Sequence, residues 1–247
     1  MAWSTRSTRA RGRRSLVALD GATGKLLWYR QVTPHDLRDH DFQDPPIVVT
    51  VKIHGVPTEA VIGAGKSGFV IAFRASDGKR LWTLAIGKHN RYENGPLPNK
   101  PVVYCPGSLG GVLTPMAAAR GVVYVPRIDL CFKGSATGLV RGGPVPPAGG
   151  GLAAVDAATG AVLWKHTFKT LDAGAATIAD DVVFTSTYDG TIYAFSARTG
   201  ATLWKTKAPA GINSFPALTR TMLIVGAGAP TSASKAPTGR IVAYSLP

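Results

Sequence analysis

Short apolar runs recur along this chain, separated by clusters of Gly, Pro, Asp, Thr and Ser. Leu16-Val17-Ala18-Leu19, Phe69-Val70-Ile71-Ala72-Phe73 and Thr191-Ile192-Tyr193-Ala194-Phe195 are rich in β-branched and aromatic residues and too short for helices. They read as strands. Polar residues do not alternate cleanly with apolar ones, as expected where a sheet is covered on both faces. No stretch shows strong helical amphipathicity.

One unit repeats. Residues Asp189 to Trp204 read as strand, turn, strand, with Ala197-Arg198-Thr199-Gly200 as the turn and Gly200 free to adopt positive φ. The same unit runs Leu16 to Trp28, Phe69 to Trp82 and Leu152 to Trp164, and Arg240 to Leu246 begins it once more. Trp28, Trp82, Trp164 and Trp204 occupy the same place in each. Trp164 and Trp204 are 40 residues apart, the length of one four-stranded propeller blade.

The pattern predicts whole blades over Ile47–Ile86, Leu113–Phe168 and Gly174–Lys207. A blade over Ser214–Leu246 lacks its fourth strand, and residues 15 to 31 give a hairpin alone. Loops are expected at Thr33–Pro46, Gly87–Pro101, Lys133–Gly151 and Ala229–Gly239. The fold class is therefore all-β, an incomplete propeller of about four antiparallel blades over residues 15–247, with residues 1–14 as a disordered basic leader. Each repeat tryptophan should wedge between neighbouring blades.

Composition narrows the functional classes. Of 247 residues, 45% are apolar and 17% charged, with 29 Gly and 18 Pro, so the chain folds and is rich in turns. The net charge of +14 is scattered apart from Arg6, Arg9, Arg11, Arg13 and Arg14. No helix or aromatic groove accompanies it, which argues against specific nucleic-acid binding. No apolar run reaches the roughly 20 residues of a membrane-spanning helix. Arg13-Arg14 has no apolar core behind it, since Asp20 follows at once, so no signal peptide is visible. Gly63-Ala64-Gly65-Lys66-Ser67 resembles the end of a phosphate loop but has Ala60 where the first glycine belongs. There is no Gly-x-Ser-x-Gly and no Cys-x-x-Cys-His haem motif. His35, Asp36, Asp39, His40 and Asp41 form a dense cluster of metal-type ligands whose spacing matches no closed zinc site. It reads either as a loop brace or as a site. His89 and Asn90 are candidates to face the central funnel.

The repeat Ala-x-Asp-x-x-Thr-Gly-x-x-Leu-Trp resembles that of the pyrroloquinoline quinone (PQQ) propellers. Thr33 to Asp41, Lys66 to Val70, Cys105 to Gly111, Pro115-Met116, Gly121 to Pro126 and Asp181 to Phe184 are similar, in order, to segments of quinoprotein alcohol dehydrogenases, in their C-terminal part. The resemblance implies PQQ on the propeller axis, held with Ca²⁺, and oxidation of an alcohol or sugar outside the cytoplasm. It implies Lys66 as the basic residue at the quinone carbonyls and a disulfide between Cys105 and Cys131. It also implies parts this chain replaces. Trp3 to Arg14 holds no carboxylate where the catalytic Asp and metal ligands are expected, so the catalytic residue is unassigned. Val112-Leu113 stands for Asn-Trp, and Asp172-Ala173-Gly174 for Trp-Gly-Gly. The alternative is a non-catalytic envelope propeller, binding a protein partner as in outer-membrane assembly lipoproteins.

Overall fold

In a computed structural model, which describes residues 14–139, 144–231 and 238–245, the repeat turns share one construction. The Gly24, Gly78, Gly160 and Gly200 amides each donate back to the fourth residue before them, closing the turn. All four glycines have φ between 67° and 76°, a region costly for residues with a Cβ. In the first and third turns an Asp completes the lock: Asp20 Oδ1 accepts from the Thr23 N–H and hydroxyl, and Asp156 Oδ1 does the same for Thr159. A register shift sits at the same point of each hairpin, after Ala18, Ala72, Ala154 and Ala194.

The hairpins belong to five antiparallel sheets in chain order. The first is the hairpin β1 (Ser15–Leu19) and β2 (Leu26–Gln31). The second is β3 (Ile47–Ile53), β4 (Val56–Gly63), β5 (Phe69–Arg74) and β6 (Arg80–Ala85), paired in sequence. The third contains β7 (Val102–Tyr104), β8 (Ala117–Ala119), β9 (Val122–Ser135), β10 (Gly138–Leu139), β11 (Val145–Asp156) and β12 (Val162–Phe168). Here β8, β9, β11 and β12 form the blade, while β7 and β10 add to the extended end of β9. The fourth is β13 (Thr177–Ala179), β14 (Val182–Ser186), β15 (Thr191–Ser196) and β16 (Thr202–Lys207). The fifth has three strands, β17 (Ala217–Leu218), β18 (Met222–Ala227) and β19 (Arg240–Ser245).

Consecutive sheets pack face to face. Leu16 and Trp28 join Ile71 and Phe73 between the first two sheets. Ile62, Val70 and Ala72 meet Val123, Val125 and Val155 between the next two. Tyr124, Leu152 and Phe168 meet Val183 and Phe195, and Phe184 and Ile192 meet Leu223 and Val225. The first strands β3, β8, β13 and β17 are neighbours in turn, as the inner wall of a propeller requires.

The tryptophans fasten these interfaces. Trp28 Nε1 donates to Ala75 O (2.8 Å), Trp82 Nε1 to Ala157 O (2.9 Å) and Trp164 Nε1 to Ala197 O (3.0 Å), each in the next blade's turn. Each ring lies against that turn's glycine, where an added Cβ would fall within 2.7–2.8 Å of it. Trp204 departs from the expectation. It is 38% exposed, touches Tyr244 edge-on, and its indole N–H finds no acceptor among the described residues. Among the described residues the fifth sheet has three strands, and none of its turns lies against Trp204 as the Gly78, Gly160 and Gly200 turns lie against the other rings.

Two further expectations change. Most of Lys133–Gly151 is a β-ladder rather than a loop, because β9 and β11 continue past the blade. The glycines there mark close packing: a Cβ on Gly150 would lie 2.4 Å from Asp172 N, and one on Gly151 2.2 Å from His166 O. The short strand β7 was hidden in a Pro-flanked segment. Of the proposed leader, residues 1–13 lie outside the described residues; Arg14 is ion-paired to Asp36.

Candidate functional site

The linkers that enter each blade pair with the ends of its second strand, collecting the polar residues at one rim. Lys66 N–H donates to Asp41 O and Asp44 N–H to Ala64 O. Bridges join Gly111 to Ile128, Asp172 to Thr187 and Gly211 to Ala229 at the corresponding places. Glycine allows this approach: a Cβ on Gly65 would lie 2.2 Å from Asp41 O.

Lys66 is buried at this rim. Its Nζ donates to Asp39 Oδ2 (2.7 Å) and Asp41 Oδ2 (2.8 Å). Burial pulls the ammonium's pKa down, but these hydrogen bonds outweigh it and leave it above the ordinary lysine value. Lys66 is therefore a fixed cation with one of its three N–H donors uncommitted.

The His35–Asp41 cluster is chiefly a brace. The buried Asp36 carboxylate pairs with Arg14 (2.7 Å) and accepts the Arg38 and His40 backbone N–H groups at 2.7 and 2.6 Å. Arg38 reaches across to the carbonyls of Tyr92 and Gly95, tying this linker to the next. The His40 ring does not pair with an Asp: its Nε2 meets Pro106 O at 3.0 Å, and burial lowers its pKa. His35 and Asp39 adopt positive φ, 48° and 60°.

The remaining candidates separate. His89 is turned into its own loop, with Nδ1 2.5 Å from Glu93 Oε2, Nε2 3.1 Å from Ile86 O and its ring against Phe69. Asn90 bonds Val103 O and the Cys105 amide rather than facing the funnel. Cys105 and Cys131 are disulfide-bonded, fastening this linker to β9. Two buried carboxyls lacked any distinguishing sequence signal. Asp44 is 4% exposed; the Met116 N–H faces it, but neither oxygen completes a hydrogen bond, and burial raises its pKa to about 7. Asp172, within the linker that enters the fourth sheet, is fully buried.

The repeats and their fold agree with known proteins. Residues 4–89 match the family described as glucose/ethanol/alcohol dehydrogenase, beta-propeller domain, and residues 148–245 that of the outer membrane protein assembly factor BamB. The chain is 28% identical to the quinoprotein alcohol dehydrogenase PedH of Pseudomonas putida, over 82% of its own length and 40% of that protein. It is 30% identical to a quinoprotein ethanol dehydrogenase of Pseudomonas putida, over 81% of its length and 38% of the relative. The quinohemoprotein alcohol dehydrogenase of Comamonas testosteroni superposes with a TM-score of 0.79 at 24% identity, covering 95% of this chain and 42% of that one.

The chain carries PQQ-type β-propeller repeats and is related to the quinoprotein alcohol dehydrogenases over about 82% of its length.

It spans about two fifths of the length of these relatives. PQQ is a planar quinone bearing three carboxylates. The free N–H of Lys66 suits one of its carbonyls or carboxylates. The rest of the group is not matched. Among the described residues, Trp28, Trp82 and Trp164 are committed to interblade turns and are not free to stack on its ring. Among the described residues no three His, Cys, Asp or Glu side chains converge to hold a metal. The residues described do not by themselves make a complete PQQ site. No helix among them is long and apolar enough to cross a membrane.

Proposed function

We propose that this chain is the propeller scaffold of an extracytoplasmic quinoprotein-type oxidoreductase acting on a small alcohol or sugar, with Lys66 as its contact to PQQ. The observation that carries this reading is Lys66 itself: a buried, permanently charged donor held by Asp39 and Asp41, in a segment similar to the dehydrogenases. A cation fixed beforehand can polarise a quinone carbonyl at no cost of reorganisation. The metal ligands and the base that accepts the alcohol proton are not supplied by the described residues.

A second reading is a non-catalytic envelope propeller that binds a protein partner. It is favoured by the use of three repeat tryptophans for blade docking and by the lack of a metal cluster among the described residues. Dye-linked oxidation assays with PQQ, Ca²⁺ and a panel of alcohols and sugars separate the two. Turnover that needs PQQ supports the oxidoreductase; no dye reduction with any of them supports the scaffold.

A further inference from the structure

Beneath the rim, at the entry to the fourth sheet, Thr185 has more hydrogen bonds than protons. Its Oγ1 lies 2.6 Å from Asp172 Oδ1 and 2.6 Å from Ala175 O. A hydroxyl carries one proton. The Ala175 carbonyl can only accept. With the hydroxyl proton on it, the other contact needs the carboxyl's own proton.

The surroundings agree. Asp172 is 0% exposed and its Oδ2 has no partner. An ionised carboxylate with a bare oxygen in a dry site is costly, whereas a carbonyl oxygen left without a donor is a smaller loss. The Gly174 N–H, which faces the carboxyl, is already donated to Ser186 O at 2.9 Å. The charged and titratable groups that face Asp172 are few. Arg127 on β9 is committed to Asp129 and to Thr167, and Tyr193 on β15 stacks on Phe168. Burial is the largest influence and pushes the carboxyl well above its ordinary range; Thr185, Gly174 and Arg127 only oppose it.

We infer that Asp172 is a neutral carboxylic acid that donates to Thr185, and that it acts as an alkali-sensitive latch holding the blade-four linker to β14. The linker is fastened here by the Asp172–Thr187 bridge, by Tyr188 N–H to Leu171 O and by Gly174 N–H to Ser186 O. Loss of the proton places a buried negative charge within this ladder and opens it. The role is independent of the PQQ reading, since no contact joins Asp172 to Lys66.

The test is infrared spectroscopy of the full chain labelled with ¹³C-aspartate, comparing wild type with Asp172→Asn at neutral pH. A protonated-carboxyl band present in wild type and lost in the variant is expected. The amides of Gly174 and Tyr188, followed by hydrogen exchange, should open about tenfold faster beyond the intrinsic pH effect once that band titrates away in wild type, and should not in Asp172→Asn. If Asp172→Asn does not fold, Thr185→Val serves: the band should shift to higher frequency as its acceptor is lost. A neutral-pH spectrum with no band assignable to Asp172 in either comparison overturns the inference, as does exchange at these amides with the same pH profile in both proteins.

Discussion

The four repeat tryptophans should not cost the same when removed. Trp28 is 8% exposed, donates to Ala75 O and packs against Phe73 and the guanidinium of Arg30. Truncating it leaves a cavity between the first two sheets and orphans a carbonyl. Large aromatic deletions of this kind cost about 3–5 kcal/mol, and Trp28→Ala belongs in that range. Trp82 and Trp164 keep the hydrogen bond but are only half-buried, so their substitutions should fall nearer about 3 kcal/mol. Trp204 has neither the burial nor the acceptor, and Trp204→Ala should cost about 1 kcal/mol. Urea unfolding followed by circular dichroism measures the series. A cost for Trp204→Ala equal to that of Trp28→Ala would refute the reasoning, because it would mean the rings stabilise their own hairpins rather than the docking onto the next turn.

Two other outcomes follow from the linkers. Asp44 has a folded pKa of about 7 against an ordinary 3.8, so its contribution to stability is fully present below about pH 4 and is lost as pH rises through 7. The loss amounts to about 4 kcal/mol. Asp44→Asn should flatten that fall between pH 4 and 8, and an unchanged slope would show that the carboxyl is hydrated. The Cys105–Cys131 bridge closes a 26-residue separation, and its reduction should lower stability by about 3.5 kcal/mol on the chain-entropy argument. Denaturation with and without reductant checks this.

The repeat was legible because each turn needs the same local chemistry: a glycine at positive φ, and beside it a strand ending in tryptophan. Those demands are short-range and recur, so the blade order was readable from residues alone. The third sheet was less so. Gly149, Gly150 and Gly151 look like a loop in sequence, yet each lets another backbone or side chain approach a β-ladder. Lys66 was singled out by resemblance, but its partners Asp39 and Asp41 lie in the preceding linker and are brought to it only by the pairing of that linker with the end of β4. The same segment was open between brace and site; the answer lay in which backbone amides Asp36 accepts, a property of the fold. Nothing local distinguishes Asp44 or Asp172 from surface aspartates. Their burial comes from neighbouring blades.

The measurement that bears most directly on function is an absorbance titration of the chain with PQQ in the presence of Ca²⁺, run in parallel on Lys66→Gln. The account predicts saturable binding at micromolar PQQ by the wild-type chain. The variant, which loses the charged donor, should bind at least tenfold more weakly. No spectral change at micromolar PQQ, or equal affinity in the two proteins, would contradict the assignment of the Lys66 rim as the contact to the quinone.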